Sequence, residues 1–347
     1  MVGMATIMGF SRTTSSDYRM QETGSTWLWP LVLCIGLAIW IGLRPVSFAF
    51  GDTVNYAFTY KLIQPYQVHM DWSGEWVWRW LMVGCKSIGM SINGFFTIVS
   101  FGYILTAFFA ARRLMPSDPM LGMIFILTSL MFFSFGVNGL RNGLACHIIL
   151  LAIAYLLEAK WVPGVLLCLL AFGIHRSTML PIAMVLVALF LLKDVRIAII
   201  IWGLSIVISI VAGGAATNFF VSLGFDDRMA SYAHDYAELS KIGFRWDFLL
   251  YSAVPVVYSW YMCLWKKVSD NWFNVLSITY CLCNAFWILV IRSSFSNRFA
   301  YLSWFLYPIV MAYPLVNLPV WEDQDRKTGY ILLAYAAFTA FMWFVFW

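Results

Sequence analysis

The stretch Gly136–Leu192 opens with GVNGLRNGLACHIILLAIAYLLEAK (136–160), continues through an apolar run, turns at AFGIHRS (171–177) and becomes apolar again. Between Arg141 and the His175-Arg176 pair lie one apolar descent, a charged turn with Glu158 and Lys160, and one apolar ascent. Two crossings return a chain to its starting side, so Arg141, His175 and Arg176 are predicted to share one face of a bilayer. The spacing is tight. Residues 161–192 must cross twice in 32 residues, whereas two full crossings take about 40 helical residues. The turn at His175 is therefore predicted to be recessed below the membrane surface. Backbone at that depth is tolerated only against protein or a water-filled cavity, which predicts a polar pocket in one leaflet.

Composition bounds the rest. The chain has 347 residues, of which 62% are hydrophobic, 18% aromatic and only 11% charged. Repeated apolar runs of helical-span length place it among all-α, polytopic integral membrane proteins. The net charge of +5 says less than where Lys and Arg fall relative to the spans. Cys34, Cys85, Cys146, Cys168, Cys263, Cys281 and Cys283 lie mostly inside apolar runs without metal-type spacing. They read as small core residues. Residues 1–26 lack a basic start followed by an apolar core and read as a short cytoplasmic tail.

A first span fits Trp27 to Leu43, and a first outer loop follows over residues 44–93. In that loop Gly51-Asp52-Thr53-Val54-Asn55-Tyr56 has the form of a helix start, with Asp52 or Thr53 as cap. Glu75 to about Met90 carries Glu75, Arg79 and Lys86 near one stripe, with Trp76, Trp78 and Trp80 around them. That is the pattern of an interfacial helix; as an ordinary span it would bury three charges. Spans then recur at about 94–111, 119–136, 142–158, 161–174, 178–192, 197–215, 248–265, 271–291, 299–316 and 329–347, giving about 11 transmembrane helices in a single domain. Basic residues recur at every second connection (Arg112-Arg113, Lys160, Lys193 with Arg196, Lys266-Lys267, Arg326-Lys327), and those connections are predicted to be cytoplasmic. The outer connections hold comparable basic charge, mostly as single arginines. A longer outer loop, 213–247, mixes Asp226, Asp227, Asp235 and Glu238 with Phe225, Tyr232, Tyr236 and His234. Such a mixture would suit sugar rings, and it is common in solvated loops.

No HExxH, no CxxC and no carboxylate cluster at ligand spacing appears, and nothing points to nucleic acid. Asp226 and Asp227 are adjacent, so their side chains diverge and make a poor acid/base pair. What remains on the outer face is Arg44, Arg141, Arg176, Arg292, Arg298 and His175. Guanidinium keeps its charge and forks onto phosphate oxygens; imidazole titrates near neutrality and can accept a hydroxyl proton. A lone arginine at a helix end can also be a snorkelling anchor, and a histidine at a turn can simply cap it. Arg141 fits the anchor reading least, because an apolar helix follows it at once with no acid nearby in sequence.

Arg44, Gly51-Asp52 with Asn55-Tyr56, and Glu75 together resemble the first outer loop of the EpsG family of polysaccharide polymerases. Leu140-Arg141-Asn142-Gly143-Leu144-Ala145 resembles that family's Leu-Arg-Gln-x-x-Ala motif, with Asn142 in place of Gln. Phe172-Gly173-Ile174-His175-Arg176-Ser177 resembles its Phe-His-Lys/Arg-Ser motif with two residues inserted. Asn297-Arg298 followed by Tyr301 is similar to an Arg-x-x-x-Tyr element one position shorter.

The resemblance implies a Wzy-type polymerase of the bacterial inner membrane, GT-C-like in architecture, with its active site facing the periplasm and interfacial helices in the first periplasmic loop. Donor and acceptor would be oligosaccharides on undecaprenyl diphosphate. The product would be O-antigen, capsule or exopolysaccharide, with a flippase and a chain-length regulator as working partners. Arg141, Arg176 and Arg298 would stabilise the departing diphosphate without a metal or other cofactor. His175 or Asp52 would take the acceptor proton. Glu75, Asn55, Tyr56, Asn142, Arg44, Arg292 and the loop residues Asp226, Tyr232 and Tyr236 would hold substrate. A glycan-to-lipid ligase, a lipid-linked oligosaccharide flippase and a membrane acyltransferase are the rival readings. A flippase should show two related halves, and no internal repeat is evident.

Overall fold

The structure is a computed structural model that describes residues 2–14, 27–67, 71–222, 243–292 and 296–346. Among these, all regular structure is helical. The chain divides into two compact units, one of residues 20–127 and 131–178, the other of residues 1–19, 128–130 and 179–347.

The unit of residues 20–127 and 131–178 holds most of the sequence-predicted site. Its helices are α2 (Leu28–Gly42), α3 (Thr53–Leu62), α4 (Trp76–Ser87), α5 (Ile92–Leu114), α6 (Pro119–Leu127), α7 (Phe132–Val137), α8 (Leu140–Leu157) and α9 (Trp161–Ile174). Helix α5 packs on α2 and on α8, and α8 packs on α9. Helix α8 is buried nearly all round, which is why its apolar residues surround the helix rather than forming a stripe. The buried faces interlock through a few polar atoms. The rings of Tyr103 and His147 stack in parallel with centroids 4.0 Å apart. The Tyr103 hydroxyl donates to the Phe132 carbonyl at 2.8 Å, and His147 Nδ1 sits 2.7 Å from the Tyr103 carbonyl oxygen. At the far end of α8, Arg113 and Lys160 both pair with Glu158, at 2.7 and 2.8 Å. Burial alone would raise the Glu158 carboxyl, but hydrogen bonds from Lys160 and Arg113 hold it below the usual glutamate range.

The other unit contains α1 (Val2–Thr14), α10 (Met179–Leu186, extended by a wide turn to Leu191), α11 (Val195–Ser222), α12 (Trp246–Trp260), α13 (Asn271–Leu289), α14 (Ser296–Trp304), α15 (Tyr307–Asn317) and α16 (Gln324–Phe346). Helix α1 lies along α16, and α13 is the central post against which α10, α11, α12 and α14 pack. Polar side chains join these helices as they do in membrane bundles. Asn284 accepts from Trp202 Nε1 at 2.8 Å and donates to Ser303 at 2.9 Å. Ser252 accepts from Trp304 Nε1 at 2.7 Å, and its carbonyl accepts from Tyr280 at 2.9 Å.

Seven helices among the described residues are long and apolar enough to cross a membrane: Ile92–Leu114, Leu140–Leu157, Val195–Ala212, Trp246–Trp265, Asn271–Leu289, Ser296–Asn317 and Gln324–Val345. Three shorter apolar helices, Leu28–Gly42, Trp161–Ile174 and Arg176–Leu191, fall where further spans were expected. The expected span 119–136 is not one helix. It is broken into α6 and α7. Inside the break, the Leu130 N–H donates to the Tyr251 hydroxyl at 3.3 Å, a partner of the kind that makes a broken helix tolerable. Residues read as a tail include the 13-residue helix α1. Between α2 and α5, α4 has 12 residues, about 18 Å of helix, too short to span.

Helices α7 and α8 meet at Gly143, where an added Cβ would lie 2.5 Å from the Phe135 carbonyl oxygen. Gly143→Ala should open this junction at a cost of about 1–3 kcal/mol. A lowered midpoint of thermal unfolding in detergent, followed by tryptophan fluorescence, is the expected result; an unchanged midpoint contradicts the close approach. Glu158 sets a pH dependence. Its carboxyl is held low in the folded protein, so its contribution to stability is present above the unfolded value and is lost as pH falls through the lower folded one. The stability of wild type should therefore fall more steeply below about pH 4.5 than that of Glu158→Gln.

Candidate active site

The site grows from two backbone features. Helix α9 ends at Ile174, and His175 follows in extended conformation as its C-cap. Near that end α9 carries Gly173, where an added Cβ would come 2.4 Å from Val77 and 2.7 Å from Trp76. Only a glycine lets α4 approach so closely, and α4 begins right after Glu75. The absent side chain thus sets the N-terminus of α4, with Glu75, against the end of α9, with His175.

Glu75 divides its two carboxylate oxygens. Oε1 lies 2.5 Å from His175 Nδ1, and Oε2 accepts from Arg141 Nη1 in an ion pair. All three side chains are largely withdrawn from solvent, with exposures of 17% for Glu75, 11% for His175 and 23% for Arg141. Tyr56 of α3 is a further partner of Arg141, its ring centroid 5.9 Å from the guanidinium carbon. An ionised carboxylate only accepts hydrogen bonds, so the proton between Glu75 and His175 belongs on Nδ1. In the neutral ring Nε2 then carries the lone pair. The arrangement offers a cation for an anionic group, and beside it an oriented imidazole able to accept a proton.

A second cluster docks the start of the connection between α2 and α5 beside this one. Arg44 is buried. Its Nη1 and Nη2 donate to the carbonyls of Ile41 and Val137 at 2.8 and 3.2 Å, its Nε to Thr53 Oγ1 at 3.3 Å, and its guanidinium lies 4.3 Å from the Phe96 ring centroid. Burial pulls its pKa down to about 10, which leaves it a cation at neutral pH. The geometry makes Arg44 a clamp between the end of α2, the start of α3 and the end of α7. Asn138, which sequence reasoning did not single out, completes the clamp: its Oδ1 accepts from the Asp52 N–H at 2.8 Å. Gly51 has φ +60°, and an added Cβ there would meet the Asn138 side chain at 2.5 Å.

The remaining candidates divide. Asp52 occupies the N-cap position of α3 without a side-chain capping bond, and its Oδ1 accepts from Asn55 at 3.1 Å. Arg176 is exposed in the short turn 176–178. Asn142 is buried, with its Oδ1 3.2 Å from Cys146 Sγ. Arg292 and Arg298 belong to the other unit: Arg292 is exposed with its guanidinium 5.8 Å from the Phe244 ring centroid, and Arg298 is half-buried on α14. Asp226, Tyr232 and Tyr236 lie outside the described residues. Of the interfacial charges, Arg79 pairs with Asp71, and Lys86 lies 5.0 Å from the Tyr60 ring centroid. The hydrogen bonds to Ser73 and Arg79 hold the Asp71 carboxyl below its usual range. Among the described residues no group of three or more His, Cys, Asp or Glu side chains is placed to hold a metal ion.

A comparison with protein-family models matches the EpsG family over residues 27–347. Comparisons with curated proteins and with solved structures gave no match. The family match takes in every candidate side chain described above, so the chain belongs to the EpsG family of polysaccharide polymerase-like membrane proteins.

Proposed function

We propose that this protein joins lipid-linked oligosaccharide repeat units into a surface polysaccharide, working at the periplasmic face of the bacterial inner membrane. The observation that carries the reading is the placement of Arg141 beside His175, both held by Glu75 in a largely buried setting. Donor and acceptor are oligosaccharides on undecaprenyl diphosphate. An acceptor hydroxyl oxygen attacks the anomeric carbon of the donor glycan, and the bond from that carbon to the diphosphate oxygen breaks. The bonding pair leaves with the lipid diphosphate, and the acceptor proton passes to His175 Nε2.

Negative charge grows on the diphosphate as the bond breaks, and Arg141 with Arg176 stabilises it. Such preorganised stabilisation is commonly the largest contribution to transfers of this kind. Short helices support the same reading. Helix α9 has 14 residues, about 21 Å, against a hydrocarbon thickness of about 30 Å. A turn at His175 recessed to that extent suits a lipid whose head must meet water while its chain stays in the bilayer. Asn55, Tyr56 and Asp52 line the docked first loop and are proposed to contact sugar.

In a strain whose surface glycan depends on this gene, Arg141→Ala should lower polymerisation about 100-fold or more. Gels should then show single repeat units without long chains; wild-type ladders would remove Arg141 from the mechanism. Loss of all attached glycan, single units included, would favour the ligase reading. His175→Ala should likewise abolish long chains. Full activity in that variant would transfer the role of base to Asp52, which Asp52→Asn would then test.

A further inference from the structure

We propose that Glu75 is a positioning residue that also stands in for substrate: its carboxylate occupies Arg141 in the ligand-free protein and is displaced from it, but not from His175, by a lipid-linked diphosphate. This rests on reading Arg141 as the donor diphosphate site. Three observations lead to it. The two oxygens of Glu75 serve different partners, Oε1 the histidine and Oε2 the arginine, so one contact can break while the other stays. Glu75 is held by its backbone at the N-cap position of α4, and its side chain makes no capping bond there. Trp76 and Val77 next to it are pressed against Gly173 of α9, two residues before His175. The carboxylate therefore cannot follow Arg141 far without pulling α4 from α9.

Charge decides the exchange. A diphosphate presents several anionic oxygens that match the guanidinium fork, whereas Glu75 gives Arg141 a single oxygen. Once Arg141 turns to the diphosphate, the carboxylate keeps its contact with His175 and loses the arginine's charge. The imidazole that must gain a proton then faces an anion no longer neutralised by arginine, so donor arrival and base activation are coupled. Replacing Glu75 should accordingly split binding from turnover: an anion binds more tightly to an uncontested arginine, while the histidine loses its orienting partner.

The test uses the full-length protein in detergent, with farnesyl diphosphate as the probe and chain-length ladders in cells as the measure of turnover. Glu75→Gln should bind the probe about tenfold more tightly than wild type, a difference of about 1.4 kcal/mol, and should make no long chains. Glu75→Asp keeps the charge and should restore a near-wild-type probe affinity with part of the polymer. Should Glu75→Gln fail to fold, Glu75→Asp compared with wild type and with Glu75→Ala provides the same contrast. Wild-type binding of the probe with no gain in Glu75→Gln overturns the displacement, and leaves the donor site standing. Wild-type ladders in Glu75→Gln overturn the positioning role. Absence of probe binding in both wild type and Glu75→Gln removes the diphosphate reading of Arg141, and the displacement with it.

Discussion

A single carboxylate, that of Glu75, has to satisfy a histidine from the end of α9 and an arginine from the start of α8. Removing three ionisable groups from water costs several kcal/mol per ion unless each finds a partner. Here the partners come from three separate helices, so the desolvation penalty is offset only when α4, α8 and α9 are all in place. The requirement accounts for the short helices α3 and α4 among the described residues between α2 and α5. It also explains why a glycine stands at 173: any larger side chain would hold α4, and with it the carboxylate, away from the histidine.

The same unit spends a second cation on structure. Arg44 directs its donors to two backbone carbonyls and a threonine hydroxyl, which holds the end of α2, the start of α3 and the end of α7 together. With Asn138 bound to the Asp52 N–H, the connection after α2 is fastened within a few residues of Arg141. One arginine therefore builds the platform, and the other presents charge on it. Polar residues inside a membrane are costly and mark function by default; in this chain burial and acceptor type separate the two cases. An arginine satisfied by carbonyls has little left to offer a ligand, whereas one held by a carboxylate oxygen can exchange it for another anion.

Much of this was readable in the residues. The apolar runs on either side of Glu158 and Lys160 required that Arg141 and His175 return to one side, and the short count between 161 and 192 required short helices there. The charge and tryptophan pattern after Glu75 favours an interfacial helix over a span, and the 12 residues of α4 are too few to cross. What could not be read were pairings over long separations. Glu75 meets Arg141 across 66 positions and His175 across 100, so its place in a loop suggested a sugar contact rather than an ionic one. The run 119–136 is apolar throughout, and its break answers to Tyr251, 121 positions from Leu130. Arg44 looked like a ligand group because backbone carbonyl acceptors leave no signature in sequence. Asn138 carries no signature of its own, because its partner, the Asp52 N–H, is 86 positions away.

The claim on which the rest depends is that Glu75 and Arg141 are energetically coupled across the gap between α4 and α8. A double-mutant cycle measures this directly, with Glu75→Gln, Arg141→Met and the double variant compared with wild type by thermal unfolding of the purified protein in detergent. Direct partners with a shared network should show a coupling energy of about 1 kcal/mol or more, with the double variant less destabilised than the two singles added together. Effects that add to within about 0.5 kcal/mol would contradict the pairing, and with it the placement of His175 and Arg141 around one carboxylate.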